Sequence, residues 1–340
     1  MKQFFLIATG VLASCLYLNM GVAAKPPQSE QISPTEEIII AGFPSPYDES
    51  EINPEVLIWK PVGEGPFPVV IMLHGSGGLY YQTDAQCDDD DRTCWGLSGK
   101  FKYWGKQLSL GNHFGFQTRY MVVAVDSYTP RGYDHFGVVN INAIDRPLNV
   151  SSYLGRPWDL YAVLRYLKSR ADVKSDAIFA LGFSDGGGAV LSSVAASDNA
   201  ALIGESDWFE GIDNHTAEGH LAMQAIGLQA AVAYYPSCGF FGYFDGIYSN
   251  YAPVLIQTGQ LDVTTPIAAC LERQTEAWNL GTAEEDFQVM AYDNMQHGFD
   301  YEQYDTEEAC FAAEKTLAFF SKSLGDYLFK SNFEISYCSQ

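Results

Sequence analysis

The sequence predicts an α/β fold, with a mainly parallel central sheet and helices on both of its faces. Three observations carry this prediction. Apolar runs of strand length alternate with helical stretches along the chain. The runs are continuous rather than alternating in polarity, as strands buried on both faces require. A length of 340 residues and a hydrophobic content of 47% suit one large core.

Each element has its own local reason. "EVLIWKP" and "PFPVVIMLHG" read as strands, the second bounded by proline and glycine. "YMVVAVDSY" is a third buried run. "PWDLYAVLRYLKSR" is a helix with Leu160, Val163, Leu164 and Leu167 on one face, and Pro157 suits its first turn. "AIFALGFS" is a strand followed by a helix of small residues from about Gly186. "LQAAVAYYP", "APVLIQTG" and "DFQVMAY" complete the strands. A helix closes the domain from Thr306 to Leu324, with Asp305 and Glu308 at capping-box spacing. Residues 80–118 and 197–226 break the repeat. They are long and rich in Gly, Asp and aromatics, and read as insertions over the carboxyl edge of the sheet, where the chemistry of such folds sits.

Residues 1–24 read as a signal peptide. Lys2 precedes the apolar run Phe4 to Leu18, and Val22 and Ala24 form a small-residue cleavage site. "LASC" offers a lipoprotein alternative anchored at Cys15. Either route exports the protein, to the periplasm or beyond, and no permanent membrane span is expected. Residues 25–35 form a polar, flexible leader, and 36–340 a single domain. Six cysteines remain after Cys15, an even number that predicts disulfides in an exported chain. Cys87 and Cys94 are the expected pair; the other four cannot be paired from sequence. The formal net charge of −23 repels phosphate backbones and argues against a nucleic-acid partner. Asp88 to Asp91 read as a solvated acidic loop, and no metal or cofactor motif is expected.

Chemistry centres on "GFSDG". Gly182, Ser184 and Gly186 form a G-x-S-x-G between a predicted strand and a predicted helix, as a nucleophile elbow requires. The backbone N–H of Asp185 then lies at a helix N-terminus and can stabilise an oxyanion. The loop "HGSGG" ends another strand at the same edge, which makes Ser76 N–H the second donor. His74 reads as a structural histidine that shapes this loop. After Ser184 come His215, His220 and His297, and only His297 directly follows a strand. Asp262, after "VLIQTG", stands where the acid belongs, with Asp293 and Asp300 as alternatives. The order Ser184, Asp262, His297 fits a hydrolase triad.

The stretches "LHGSGG", "VDSYTPRG", "GFSDGGG", "GQLDVTTP" and "MQHGF" together resemble the dienelactone hydrolase family of α/β-hydrolases, and within it an exported bacterial branch. The resemblance spans about residues 55–325. It implies an α/β-hydrolase fold and a hydrolytic activity. Two features depart from the family pattern. Ser184 stands where dienelactone hydrolases carry a cysteine, and Gly75 where they carry a glutamate. The resemblance also implies arginines that bind a substrate carboxylate. Arg131 matches one, or else ties the Asp126 to Gly132 loop; Tyr301 occupies the position of the other. The expected function is therefore an exported serine hydrolase of carboxylic esters, small or oligomeric, with no cofactor. The alternatives are a peptidase or polyester depolymerase with the same machinery, or a binding protein on a hydrolase fold.

Overall fold

The structure is a computed structural model that describes residues 33–42, 53–83, 94–111, 116–133, 145–196, 207–238, 248–302 and 306–325. The signal segment and the acidic run Asp88 to Asp91 lie outside these residues. Ten strands appear among them: β1 Glu36–Ile39, β2 Glu55–Trp59, β3 Phe67–Leu73, β4 Tyr80–Gln82, β5 Trp95–Leu97, β6 Met121–Asp126, β7 Val173–Phe183, β8 Ala231–Tyr234, β9 Val254–Gly259 and β10 Phe287–Tyr292. Eight of them form one sheet in the order β1-β2-β6-β3-β7-β8-β9-β10, while β4 and β5 form a separate ribbon. All pairings from β6 to β10 are parallel; β2 runs antiparallel to both β1 and β6.

Seven α-helices lie among the described residues: α1 Gly99–Leu110, α2 Gly155–Lys168, α3 Asp185–Ser193, α4 Ala217–Ile226, α5 Ile267–Asn279, α6 Phe299–Glu302 and α7 Glu307–Ser323. Alternate strand residues feed two cores. Val69, Ile71 and Leu73 pack with Leu160, Val163, Leu164 and Leu167 of α2 and with Ala189 and Val190 of α3. Val70 and Met72 point the other way, toward Phe101, Trp104 and Leu108 of α1 and Leu317 and Phe320 of α7. Each face of the sheet thus has its own helical cover, as the continuous apolar runs require.

Three local outcomes differ from the sequence reading. β1 adds an edge strand to the start of the domain, and Thr35, just before it, already bonds the carbonyl of Ile58. Its Glu-Glu-Ile-Ile pattern is only half-buried, so its apolar signal is short. α1 forms inside the stretch read as an insertion, because Phe101, Trp104 and Leu108 recur on one buried face. The N-cap of α7 is Thr306, whose hydroxyl accepts the N–H of Ala309 at 3.2 Å; Asp305, read as the cap, lies outside the described residues. Thr306 is the last extended residue before the helical turns begin, so its oxygen reaches the free N–H three residues on.

Cys238, which follows β8, is bonded to Cys270 on α5. Cys94 and Cys310 are also in disulfides. Cys87, expected to pair with Cys94, lies outside the described residues. No described helix is long and apolar enough to cross a membrane.

Candidate active site

β7 ends at Phe183 and α3 begins at Asp185, leaving Ser184 alone in the turn. Its backbone sits at φ 54°, ψ −119°, a region L-residues rarely adopt. The two flanking glycines make the turn possible by leaving room. A Cβ on Gly182 would lie 2.2 Å from the carbonyl oxygen of Gly186. One on Gly186 would lie 2.3 Å from the carbonyl oxygen of Leu73 on β3. The helix can therefore pack this close to the strands only without side chains here. The turn is fastened at its back, where Ser184 N–H donates to Tyr234 O at 2.9 Å.

The three residues expected to form a triad come together from three strand ends. His297 Nδ1 lies 2.7 Å from Asp262 Oδ2, and His297 Nε2 lies 2.9 Å from Ser184 Oγ. A carboxylate only accepts hydrogen bonds, so Nδ1 carries the proton and Nε2 accepts from the serine hydroxyl. The Asp262 side chain is fully buried, whereas His297 is about a quarter exposed (26%). Asp262 Oδ1 accepts the N–H groups of Thr264 and Thr265 at 2.8 and 2.9 Å. The Thr265 hydroxyl lies 2.8 Å from Asp262 Oδ2 and 3.0 Å from the carbonyl of Tyr235. These contacts fix the carboxylate before the imidazole reaches it.

The loop after β3 runs beside the serine. A Cβ on Gly75 would stand 3.3 Å from Ser184 Cβ, so no side chain fits there without displacement. Ser76 follows directly. Asp185 occupies the first turn of α3, whose leading N–H groups have no partner within the helix. His74 is fully buried, and both of its ring nitrogens are engaged away from Ser184. Its Nδ1–H donates to the carbonyl of Gly75 at 2.7 Å, and its Nε2 accepts the N–H of Ser127 at 3.2 Å. Burial, and then the nearby Arg156 charge, push its pKa well below the usual histidine value. It is neutral, and it shapes the loop.

Arg131 makes two 2.8 Å bonds to the carboxylate of Asp159 and a 2.7 Å bond to the carbonyl of Ser127. Its side chain is almost buried. Tyr301 belongs to α6, and its side chain is outside the described ones. Asp300, an alternative acid by sequence, turns away from the triad role: it accepts from Trp104 Nε1 at 3.0 Å and pairs with Lys100 at 3.0 Å. Tyr235 also donates to Asp300, and its ring lies 4.6 Å from that of His297. His220 sits elsewhere, bonded to the carbonyl of Asn214.

Sequence reasoning missed a buried cluster behind the serine. The Asp185 carboxylate receives Arg156 Nη1 at 2.6 Å, Tyr128 OH at 3.0 Å and Arg146 Nη1. Arg156 Nη2 donates to the carbonyl of His74 at 2.5 Å. Burial raises the pKa of Tyr128, so its phenol keeps the proton it donates. The available signal was an arginine in the first turn of a helix that carries a strong apolar face. Among the described residues no group of His, Cys, Asp and Glu could hold a metal ion.

The sequence matches no family model and no curated protein. Solved structures do share its architecture. One, described as a candidate dienelactone hydrolase from Klebsiella pneumoniae, is 17% identical, with a TM-score of 0.53 over 84% of this chain and 99% of that one. The apo form of Thermogutta terrifontis esterase 2 is also 17% identical, with a TM-score of 0.52 over 90% of this chain and 98% of that one. The same esterase phosphorylated by paraoxon aligns with a TM-score of 0.52 at 16% identity, over 88% and 96% of the two chains. The fold is that of the α/β-hydrolases.

Proposed function

We propose that this chain is an exported serine hydrolase that cleaves carboxylic esters through Ser184, His297 and Asp262. One observation carries the reading: a continuous hydrogen-bonded path from a strained serine through a histidine to a buried carboxylate, at 2.9 and 2.7 Å. In this mechanism His297 Nε2 takes the hydroxyl proton as Ser184 Oγ attacks the ester carbonyl. Asp262 stabilises the imidazolium and keeps its orientation. The N–H groups of Ser76 and Asp185 hold the tetrahedral oxyanion. The proton passes from His297 to the departing alcohol, an acyl-enzyme remains, and water repeats the sequence to release the acid.

The substrate class follows from charge. Arg131 already serves Asp159 and the Ser127 carbonyl, so we assign it to tying its loop rather than to gripping a carboxylate. A net charge of −23 further opposes an anionic substrate, and we infer a neutral ester. The neighbouring esterase that reacts with paraoxon supports an organophosphorus probe as the test. The mature protein should take up a fluorophosphonate, with the adduct mapping to Ser184 by mass and vanishing in Ser184→Ala. A panel of neutral p-nitrophenyl esters of rising acyl length should then give turnover. A folded protein with no adduct and no turnover overturns the reading.

A further inference from the structure

We propose that Arg156 is the positioning residue of the oxyanion hole, holding its two halves at a fixed separation. The inference rests on the hydrolase reading above. The two donors, Ser76 N–H and Asp185 N–H, come from separate loops at the ends of β3 and β7. Oxyanion stabilisation works only when both donors lie close to 3 Å from the developing charge, so two loops need a common reference.

Arg156 supplies one. Its Nη2 grips the carbonyl of His74, and its Nη1 grips the Asp185 side chain, at 2.5 and 2.6 Å. The guanidinium is planar and rigid, so the two contacts are separated by a fixed length. The His74 end extends to the donor itself. His74 Nδ1–H holds the Gly75 carbonyl oxygen, and that oxygen belongs to the same planar peptide unit as Ser76 N–H. In a trans peptide the C=O and N–H point in opposite directions, so fixing one aims the other. At the other end, the gripped carboxylate belongs to the residue whose own N–H is the second donor.

Stability alone does not account for this arrangement. Arg156 is fully buried, and an arginine placed there loses its hydration. A hydrophobic side chain would fill the site without that loss, but it could not bond both the His74 carbonyl and the Asp185 carboxylate.

The test compares Arg156→Lys, Arg156→Met and Asp185→Asn with the wild type. Three quantities are read: kcat and KM on one p-nitrophenyl ester, the inhibition constant of a matched trifluoromethyl ketone, and that of a matched unreactive amide. The ketone forms a tetrahedral adduct; the amide reports ground-state binding. Arg156→Met should lose about a hundredfold in kcat with KM nearly unchanged, the order seen for loss of one oxyanion donor. Ketone affinity should fall in step with kcat/KM, and amide affinity should not move. Arg156→Lys keeps the charge but cannot span both partners, and should lose most of the same rate. Full activity in the Lys variant would overturn the bridge, since charge alone would then suffice. So would variants that only melt earlier while retaining kcat. Should Arg156→Met fail to fold, Arg156→Lys and Asp185→Asn decide, because each weakens one end and leaves polar groups in place. A wild type that takes no fluorophosphonate and turns over no ester would instead remove the hydrolase reading itself.

Discussion

Two arginine clusters sit at opposite ends of the sheet, and the same chemistry does different things in them. At the carboxyl end, Arg156 is fully buried and joins Asp185, whose side chain is 9% exposed. At the amino end, Arg170 bonds the carboxylates of both Glu36 and Asp172, and Lys60 pairs with Asp172 at 2.7 Å. Those partners are exposed to between 15 and 32%. The amino-end network ties β1, β2 and β7 together where water screens it. The carboxyl-end cluster lies out of water, directly behind a serine in a strained turn. A buried ion pair is weak evidence for stability, whereas a planar guanidinium bonded to two partners fixes their separation. The comparison teaches that this fold keeps its costly groups where catalysis is proposed and its cheap ones where the sheet must merely be held.

The largest effect expected comes from the strained turn itself. Ser184→Gly should abolish ester hydrolysis, by a factor on the order of 10⁴ or more for loss of a nucleophile. It should also leave the protein at least as stable, and more so by up to about 1 kcal/mol, because glycine tolerates a positive φ. Rate assays beside thermal melts would check both halves. A variant that loses activity and stability together would show that the turn is not under strain. A smaller loss is expected next door. Thr265→Val removes the hydroxyl that touches Asp262 Oδ2 and leaves the carboxylate to His297 Nδ1–H and its two backbone N–H partners. A fall of about tenfold in kcat is expected, the value of one hydrogen bond to a charged group, with little change in KM.

The two ends should also separate in acid. His74 is buried and held neutral, with a pKa well below its unfolded value of about 6.5. Below that pH the unfolded chain binds a proton that the folded chain refuses, so stability falls as pH falls, at up to about 1.4 kcal/mol per unit. The loss begins near pH 6.5 and continues down to the folded pKa. In His74→Gln the melting temperature should depend less on pH between 6.5 and 5 than in the wild type. An unchanged slope would mean that another group titrates there. The amino end loses stability in the same direction, but only in stronger acid. Bonds from Arg170, and then from Lys60, hold the Asp172 pKa below that of a free carboxylate. Its contribution is therefore complete above about pH 4 and is lost only as pH falls further toward the folded value.

What could be read from the sequence follows the same division. Ser184, His297 and Asp262 were legible because each directly follows an apolar strand, and their chain order restricts which histidine and which aspartate can serve. That logic uses only local pattern and the rule that parallel strands present their carboxyl ends together. Arg156 was illegible because its partners are the carbonyl of His74 and the side chain of Asp185, distant in sequence and linked only by packing. In "LGRPWDL" it looks like an ordinary charge beside a helix start. α1 was obscured differently: "GKFKYWGKQLSL" carries glycines and lysines, and its helix is decided by Trp104 and Phe101 burying against the sheet rather than by propensity. Of the six cysteines, Cys238 and Cys270 could not be matched because one follows β8 and the other lies on α5, and only their packing brings them together.

The smallest effect is expected from the amino-end arginine. Arg170→Met should cost about 1 kcal/mol or less in stability, the range for partly exposed ion pairs, despite four bonds to two carboxylates. The bonds are many, but water competes for each, and both carboxylates remain hydrated when the arginine is gone. The loss should shrink as salt rises from low to high, because screening weakens what the variant removes. Ester turnover should be unchanged, since Arg170 lies at the far end of β7 from Ser184. Chemical denaturation at two ionic strengths, with kcat measured on the same preparations, would check all three statements. A loss of several kcal/mol that ignores salt would place Arg170 in the same class as Arg156, and the contrast between the two ends of the sheet would then rest on burial in name alone.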